Sequence, residues 1–323
     1  MVSVQKKRLK KMTIITGCLI VSLAAATTCV RAESVSFAVI SDHKADHAGL
    51  EKALTFLAAQ RVDFIIVAGD FSPLRDAYPD YYARWGFLVD RDTPPDRQDV
   101  YFVIGNHDGK PSGEPFFQTE IAPFYPENGP PGAPMGTIFS FDRGNGHFVV
   151  TNQYWNDREG GYTSEQLAWI ERDLQSTDQR FTFVIGHEPA FPLDRHVADS
   201  LDVNPEMRDV FWNILAENDV RAFFCGHTHH LSAVKSQGVY QLDTGEITAS
   251  HISIVIVEMN DTKAVARLYE TAGWVPEAAD DNAFNASLRE NGDGDEAYKV
   301  VFSSDIEHDN NSFMGCFVQT VGH

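Results

Sequence analysis

The sequence predicts an α/β protein, and three observations lead there. Short, wholly apolar runs alternate with stretches of helical spacing between residues 35 and 270. The apolar runs lack the in–out alternation of a half-exposed strand, so they read as strands buried on both faces. Five of them end in a residue able to bind metal or move a proton, and α/β sheets gather their ligand sites at such carboxyl ends.

Residues 35–40 read as the first strand. Leu50, Ala53, Leu54 and Leu57 recur at helical spacing and set a helix over 50–59. Residues 64–67 and 101–104 are further strands. The turn Gly144-Asn145-Gly146 ahead of Phe148-Val149-Val150 predicts a hairpin. Thr163-Ser164-Glu165-Gln166 has capping-box spacing and opens an amphipathic helix carrying Leu167, Ile170 and Leu174. Residues 181–185 are a strand, 205–217 a helix and 220–225 a strand, and 253–257 with 264–269 form a closing hairpin. Two connections are long: 71–99 is aromatic and acidic, and 109–136 is rich in Pro and Gly. Their aromatic residues could stack on a substrate or pack into the core.

The main domain is expected over residues 33–270. An acidic extension, 271–323, follows. It turns apolar again near 298–302 and 313–318, where one or two added strands are expected.

The N-terminus differs from the rest. Lys6, Lys7, Arg8, Lys10 and Lys11 precede an apolar run that closes in Val30-Arg31-Ala32. This is the pattern of a secretory signal peptide over residues 1–32, cut after Ala32, and it predicts a periplasmic or extracellular protein. The alternatives are a retained membrane anchor and a lipoprotein read from Ile15-Thr16-Gly17-Cys18. Beyond residue 32 no segment is long and apolar enough to span a membrane.

The formal charge is −20, and it becomes about −26 once the six basic residues of 1–32 are removed. Such a charge argues against nucleic acid or an anionic membrane as partner. It would also repel an anionic substrate unless the site holds local positive charge, which bound metal ions supply. Cys18 and Cys29 lie in the leader. Cys225 and Cys316 could pair in an oxidising compartment, or Cys225 could be a buried free thiol.

The strand ends carry Ser41-Asp42-His43, Gly69-Asp70, Gly105-Asn106-His107-Asp108, Gly186-His187 and Gly226-His227-Thr228-His229. Each alone has an ordinary explanation as a turn or a satisfied histidine. Two imidazoles two residues apart are more specific, because both can reach one metal centre. The set offers oxygen and nitrogen ligands without thiolate, which suits Zn, Fe or Mn.

In this order the motifs resemble the calcineurin-like metallophosphoesterase family over roughly residues 35–270. Phe139-Ser140-Phe141-Asp142 and Gln166-Leu167-Ala168-Trp169-Ile170-Glu171 agree with it. The resemblance implies a four-layer sandwich of two packed mixed β-sheets flanked by helices, and one or two divalent metal ions. It implies that Asp70 bridges two metals, that Asn106, His187 and His227 complete one metal's shell, and that Asp42 and His229 serve the other. It implies that His107 faces the substrate and protonates the leaving oxygen, and that Asp108 orients His107.

One position departs from the pattern. The family has Asp-x-His at its first motif, and residue 44 here is Lys. His43 or His47 could substitute, the metal could be held by Asp42, Asp70 and His229 alone, or the Lys44 ammonium could replace its charge. The sequence also departs from purple acid phosphatases, which place a Tyr shortly after Gly-Asp, whereas Phe71-Ser72-Pro73 follows Asp70. The expected function is an exported metal-dependent hydrolase of a small phosphate diester or monoester, with metal-activated water attacking phosphorus. The alternative is a catalytically degenerate metal-binding relative acting as a secreted binding module.

Overall fold

Two mixed sheets organise the chain in the computed structural model, which describes residues 34–85, 89–90, 92–155, 161–193, 195–271, 298–305 and 317–320. The first contains β1 (Val35–Ile40), β2 (Phe64–Val67), β3 (Val100–Phe102), β10 (Ser253–Met259), β11 (Ala264–Thr271) and β12 (Tyr298–Asp305), in the order β12-β11-β10-β1-β2-β3. The second contains β4 (Phe139–Arg143), β5 (Gly146–Val150), β6 (Phe181–Ile185), β7 (Val220–Cys225), β8 (Leu231–Ser236), β9 (Val239–Thr244) and β13 (Phe317–Thr320), in the order β13-β8-β9-β7-β6-β5-β4. β1, β2 and β3 run parallel, as do β5, β6, β7 and β9. The expected family of folds is thus the one observed.

The sheets face each other across an aromatic seam centred on Phe37 of β1. Its ring lies 5.0, 5.4 and 5.8 Å from Phe148, Phe183 and Phe224 of the second sheet. Each such ring, fully buried, contributes about 1.5–3 kcal/mol of apolar burial. Alternate residues of the second sheet face outward: Val149, Val184 and Phe223 join a separate core beneath α4 (Ser164–Ser176) and α5 (Pro205–Glu217). Burial on both faces explains why these strands read as continuous apolar runs. On the first sheet, α1 (His47–Gln60) covers β11 through Phe56 against Tyr269, at 5.3 Å. α2 (Leu74–Trp85) covers β3 through Tyr81 against Phe102, at 5.4 Å.

The connection over 71–99 is therefore not a loop but holds α2, and 109–136 holds α3 (Pro115–Glu120). Pro79 lies inside α2 and disguises it. Its amino end is capped from a distance: Glu114 Oε1 accepts the N–H groups of Leu74 and Arg75. Phe71, Tyr81, Phe117 and Tyr125 from these segments are core residues. Thr163 does cap α4, accepting the N–H of Gln166. Gln166, however, spends its amide on Asn152, accepting from its N–H and donating to its carbonyl, so the second half of a capping box is absent. The hairpin of β8 and β9 was not anticipated; Gln237-Gly238 turns it with both residues at positive φ.

Strands β12 and β13 extend one sheet each, pairing with β11 and β8. Cys225 is buried with its Sγ toward Leu242 O, and Cys316 lies outside the described residues, as does the predicted signal peptide. Among the described residues no helix is long and apolar enough to cross a membrane.

Candidate metal centre

The carboxyl ends of β1, β2 and β3 meet those of β6 and β7 where the two sheets abut. The turns that leave these strands are unusual. Asp42, Asp70, His227 and His229 have φ of 54, 56, 72 and 62°, left-handed conformations that cost non-glycine residues roughly 1–3 kcal/mol each. Four strained residues on one rim, all of them expected ligands, indicate that their side chains are aimed for a purpose other than stability. Gly69, at φ +94°, passes so close to His187 that any Cβ would collide with the imidazole. A Cβ at Gly226 would meet Ser41 and Asp42 in the same way.

The backbone carbonyl of Ala68 receives His187 Nδ1 at 2.8 Å. A carbonyl only accepts, so the proton sits on Nδ1 and a neutral His187 presents a lone pair at Nε2. That nitrogen faces Asn106 Oδ1 at 3.1 Å and Asp70 Oδ1 at 3.5 Å. Three electron-pair donors thus converge, and Asp70 Oδ1 also accepts the backbone N–H of His107 at 3.0 Å. Such a cluster is repulsive unless a cation joins it. Burial lowers the pKa of this imidazole, but Asp70 and Asp42 raise it to a net increase. Ligand atoms of Asp42, Asp70 and His187 lie within 4.8 Å of one another. Asp42 Oδ1 is buried beside His229 Nε2, while Oδ2 accepts the N–H of His227. The residues present therefore fit a divalent ion with oxygen and nitrogen ligands.

His227 is fixed in the same manner. Its Nε2 donates to the carbonyl of Asp199 at 2.9 Å, which leaves Nδ1 as the ligand nitrogen. Burial and the nearby His187 lower its pKa to about 4, so it stays neutral. Its ring also packs on His196 at 4.2 Å, and His196, Asp199 and His227 form a second group able to hold a metal. Neither His196 nor Asp199 was singled out in the sequence; both sit on the stretch between β6 and α5, which carries no strand or long helix to mark it.

His229 Nε2 lies 3.2 Å from Asp42 Oδ1, and its Nδ1 lies 3.0 Å from Glu246 Oε2. Burial opposes its protonation, yet Asp42 and Glu246 raise its pKa to about 9. Arg195 Nη1 stands 2.9 Å from the same Nδ1. Glu246 escaped the sequence reading, although Asp243-Thr244-Gly245-Glu246 repeats the strand–glycine–ligand pattern once β9 is recognised.

Lys44 settles among the anions. Its Nζ is 3.3 Å from Asp70 Oδ2 and 3.3 Å from His229 Nε2. His43 points the other way: its Nε2 pairs with Tyr81 OH at 2.8 Å, and burial lowers its pKa to about 4. His47 is exposed and bound to Asp80. Neither histidine substitutes for the missing ligand.

His107 is the exposed member of the set, at 59% side-chain exposure, with Nε2 3.9 Å from Asp70 Oδ2. The expected role of Asp108 needs correction. Its carboxylate does not orient His107; it accepts the backbone N–H groups of Asp70, Phe71, Ser72 and Gly105 at 2.7–2.9 Å. A buried anion surrounded by four amide donors has no capacity left for an exposed imidazole. Burial and the neighbouring Asp70 still raise its pKa to about 7, against the pull of those amides. Asp108 is a positioning residue that clamps the Gly69-Asp70 turn to the 105–108 loop.

A cleft of about 170 Å³ opens beside the cluster, lined by Asn106, Lys110, Glu188, Asp199, Ser200, Val203 and His227. None of the aromatic residues of the long connections lines it, and Phe71, Tyr81, Phe117 and Tyr125 are in the core.

Comparison with known proteins bears on this arrangement. A family profile described as calcineurin-like phosphoesterase matches residues 35–231. Tartrate-resistant acid phosphatase type 5 of Rattus norvegicus is 28% identical over 94 residues, 29% of this chain and 27% of that protein. A probable inactive purple acid phosphatase 9 of Arabidopsis thaliana is 28% identical over 94 residues, 28% of this chain and 14% of that protein. The matched stretch thus spans about a quarter or less of these relatives. Phe71, which follows Gly69-Asp70, packs on Phe102 and Phe117. Among solved structures, a dimetal phosphatase from Danio rerio superposes with a TM-score of 0.55 at 14% identity, covering 85% of this chain and 99% of that one. A purple acid phosphatase from yellow lupin seeds gives 0.52 at 12% identity, over 74% of this chain and 52% of that one. Both likenesses concern the fold. The profile covers well over half of the chain and includes the ends of β1, β2, β3, β6 and β7, so the protein belongs to the calcineurin-like phosphoesterase family.

Proposed function

We propose that the protein is exported and hydrolyses small phosphate esters, diester or monoester, in a metal-dependent reaction. The observation that carries this reading is the convergence of Asp70 Oδ1, Asn106 Oδ1 and His187 Nε2 next to the solvent-facing imidazole of His107. A divalent ion bound there supplies Lewis-acid polarisation of a phosphoryl oxygen and a water of lowered pKa. The chain's own residues do the rest. Lys44 and Arg195 add positive charge to a rim that is otherwise rich in carboxylates, and so draw a phosphate to a strongly acidic protein. His107, free to turn toward the leaving oxygen, donates the proton it needs. Ala68 O and Asp199 O hold the ligand histidines in the tautomers that present lone pairs. Glu188, Asp199 and Lys110 line the cleft, two carboxylates and one ammonium. Export rests on the basic cluster and apolar run of residues 1–32, and net negative charge speaks against a nucleic-acid partner.

Hydrolysis of bis-p-nitrophenyl phosphate and p-nitrophenyl phosphate tests the reading, each with Mn, Zn or chelator and beside His107→Ala. Metal-dependent turnover that falls in the variant supports it, and the faster substrate identifies the ester class. Bound metal without turnover favours a second reading, a secreted binding module, for which Lys44 against Asp70 is the motivating observation. Fractionation of expressing cells, with the amino terminus of the exported chain read at Glu33, tests export and cleavage.

A further inference from the structure

We infer that this centre binds one metal ion and that the Lys44 ammonium occupies the position of a second. The inference rests on the phosphoesterase reading and concerns how its centre is built. Asp70 faces two sides of the centre. It turns Oδ1 to His187 and Oδ2 to Lys44 Nζ, at 3.5 and 3.3 Å. On the Oδ1 side stand Asn106 and His187, with Asp42 in reach and Nδ1 of His227 unprotonated. On the Oδ2 side the remaining partner is His229, and its Nε2 is again 3.3 Å from Nζ.

A metal ion there would have to sit about 2.0–2.2 Å from both Asp70 Oδ2 and His229 Nε2. An ammonium nitrogen 3.3 Å from both atoms fills the same space, so the two cannot coexist. The charges agree with the geometry, because a cation next to a divalent ion would be repelled, whereas a cation opposite the second oxygen of a shared carboxylate is attracted. The backbone is built to deliver this side chain. Lys44 and Ala45 have φ of 42 and 57°, and Lys44 N–H donates to Asp70 O at 3.1 Å. His43, the neighbouring imidazole, is withdrawn to Tyr81 and offers no replacement ligand.

Metal stoichiometry tests the inference. The purified protein, stripped by chelator, is titrated with Mn(II) by calorimetry, with elemental analysis and Mn(II) paramagnetic resonance as independent readouts. One ion per chain, with the spectrum of an isolated ion, is expected. Lys44→His returns a neutral nitrogen donor and should take up two ions with a spin-coupled spectrum. Lys44→Met removes the charge without adding a donor, and should bind a second ion more weakly than Lys44→His; it serves if Lys44→His does not fold. Two coupled ions in the unaltered protein would overturn the inference and leave the phosphoesterase reading intact. A single ion in all three proteins would also overturn it, since Lys44 would then not be what excludes the second. No bound ion in any of them would overturn the metal centre itself.

Discussion

Asp108 Oδ2 accepts the backbone N–H of Asp70 at 2.8 Å, across 38 residues of chain. This bond and its three companions fix the turn that presents the bridging carboxylate. Asp108→Ala would strand four N–H groups, at least those of Asp70, Phe71 and Gly105 in buried surroundings. Each orphaned donor costs about 1–3 kcal/mol, less when they share one relaxation. We expect Asp108→Ala to lower unfolding stability by about 3–5 kcal/mol in urea, and Asp108→Asn, which keeps an acceptor, to lose less. Equal stability of Asp108→Ala and the parent would remove the clamp from the account.

His107 and His187 should separate activity from metal retention. His107 is exposed and approaches Asp70 Oδ2 only to 3.9 Å, so His107→Ala should change stability by less than about 0.5 kcal/mol and keep its metal. Its turnover should fall by roughly 10²–10⁴-fold. His187→Ala should lose the metal instead. In the parent, Mn(II) at a hundred times its dissociation constant should add about 2.7 kcal/mol of stability, seen as a rise in melting temperature. That rise should vanish in His187→Ala.

Gly69→Ala should fail for two reasons. The position has φ +94°, and an added methyl would strike His187. Strain at positive φ alone costs about 1 kcal/mol. The collision should also push His187 from its carbonyl partner, so metal content should drop with stability. A variant that is merely less stable but fully metallated would show that the imidazole can yield.

His147 gives a pH-dependent term far from the metal ligands. Its Nδ1 lies 2.6 Å from Asp142 and its Nε2 2.8 Å from Asp173. Burial lowers its pKa, but the two carboxylates outweigh burial and raise it. The folded state therefore binds this proton more tightly than the unfolded chain, whose histidine titrates near 6.5. The stabilisation is fully present below that value and is lost as pH rises through the folded pKa. The stability gap between the parent and His147→Gln should be widest at about pH 5.5 and shrink above pH 7. A gap that grows with pH would contradict the sign.

The sequence by itself determined the positions of most core strands and the motif set. Buried strands announce themselves as apolar runs, and each run here stops at the residue the site uses, as at Ile185 before Gly186-His187. What depended on partners distant in sequence was not legible. α2 is capped by Glu114, forty residues away, and carries Pro79, so its local signal is weak. Glu246 became visible only when β9 placed it against His229. Asp108 looked like a partner for the adjacent His107, and tertiary packing gave its oxygens to the turn after β2 instead. Lys44 is the sharpest case: the sequence left three readings open. A side chain's reach and direction depend on backbone dihedrals and on which strand ends adjoin it. Only the folded structure sets these, and it places Nζ between Asp70 and His229.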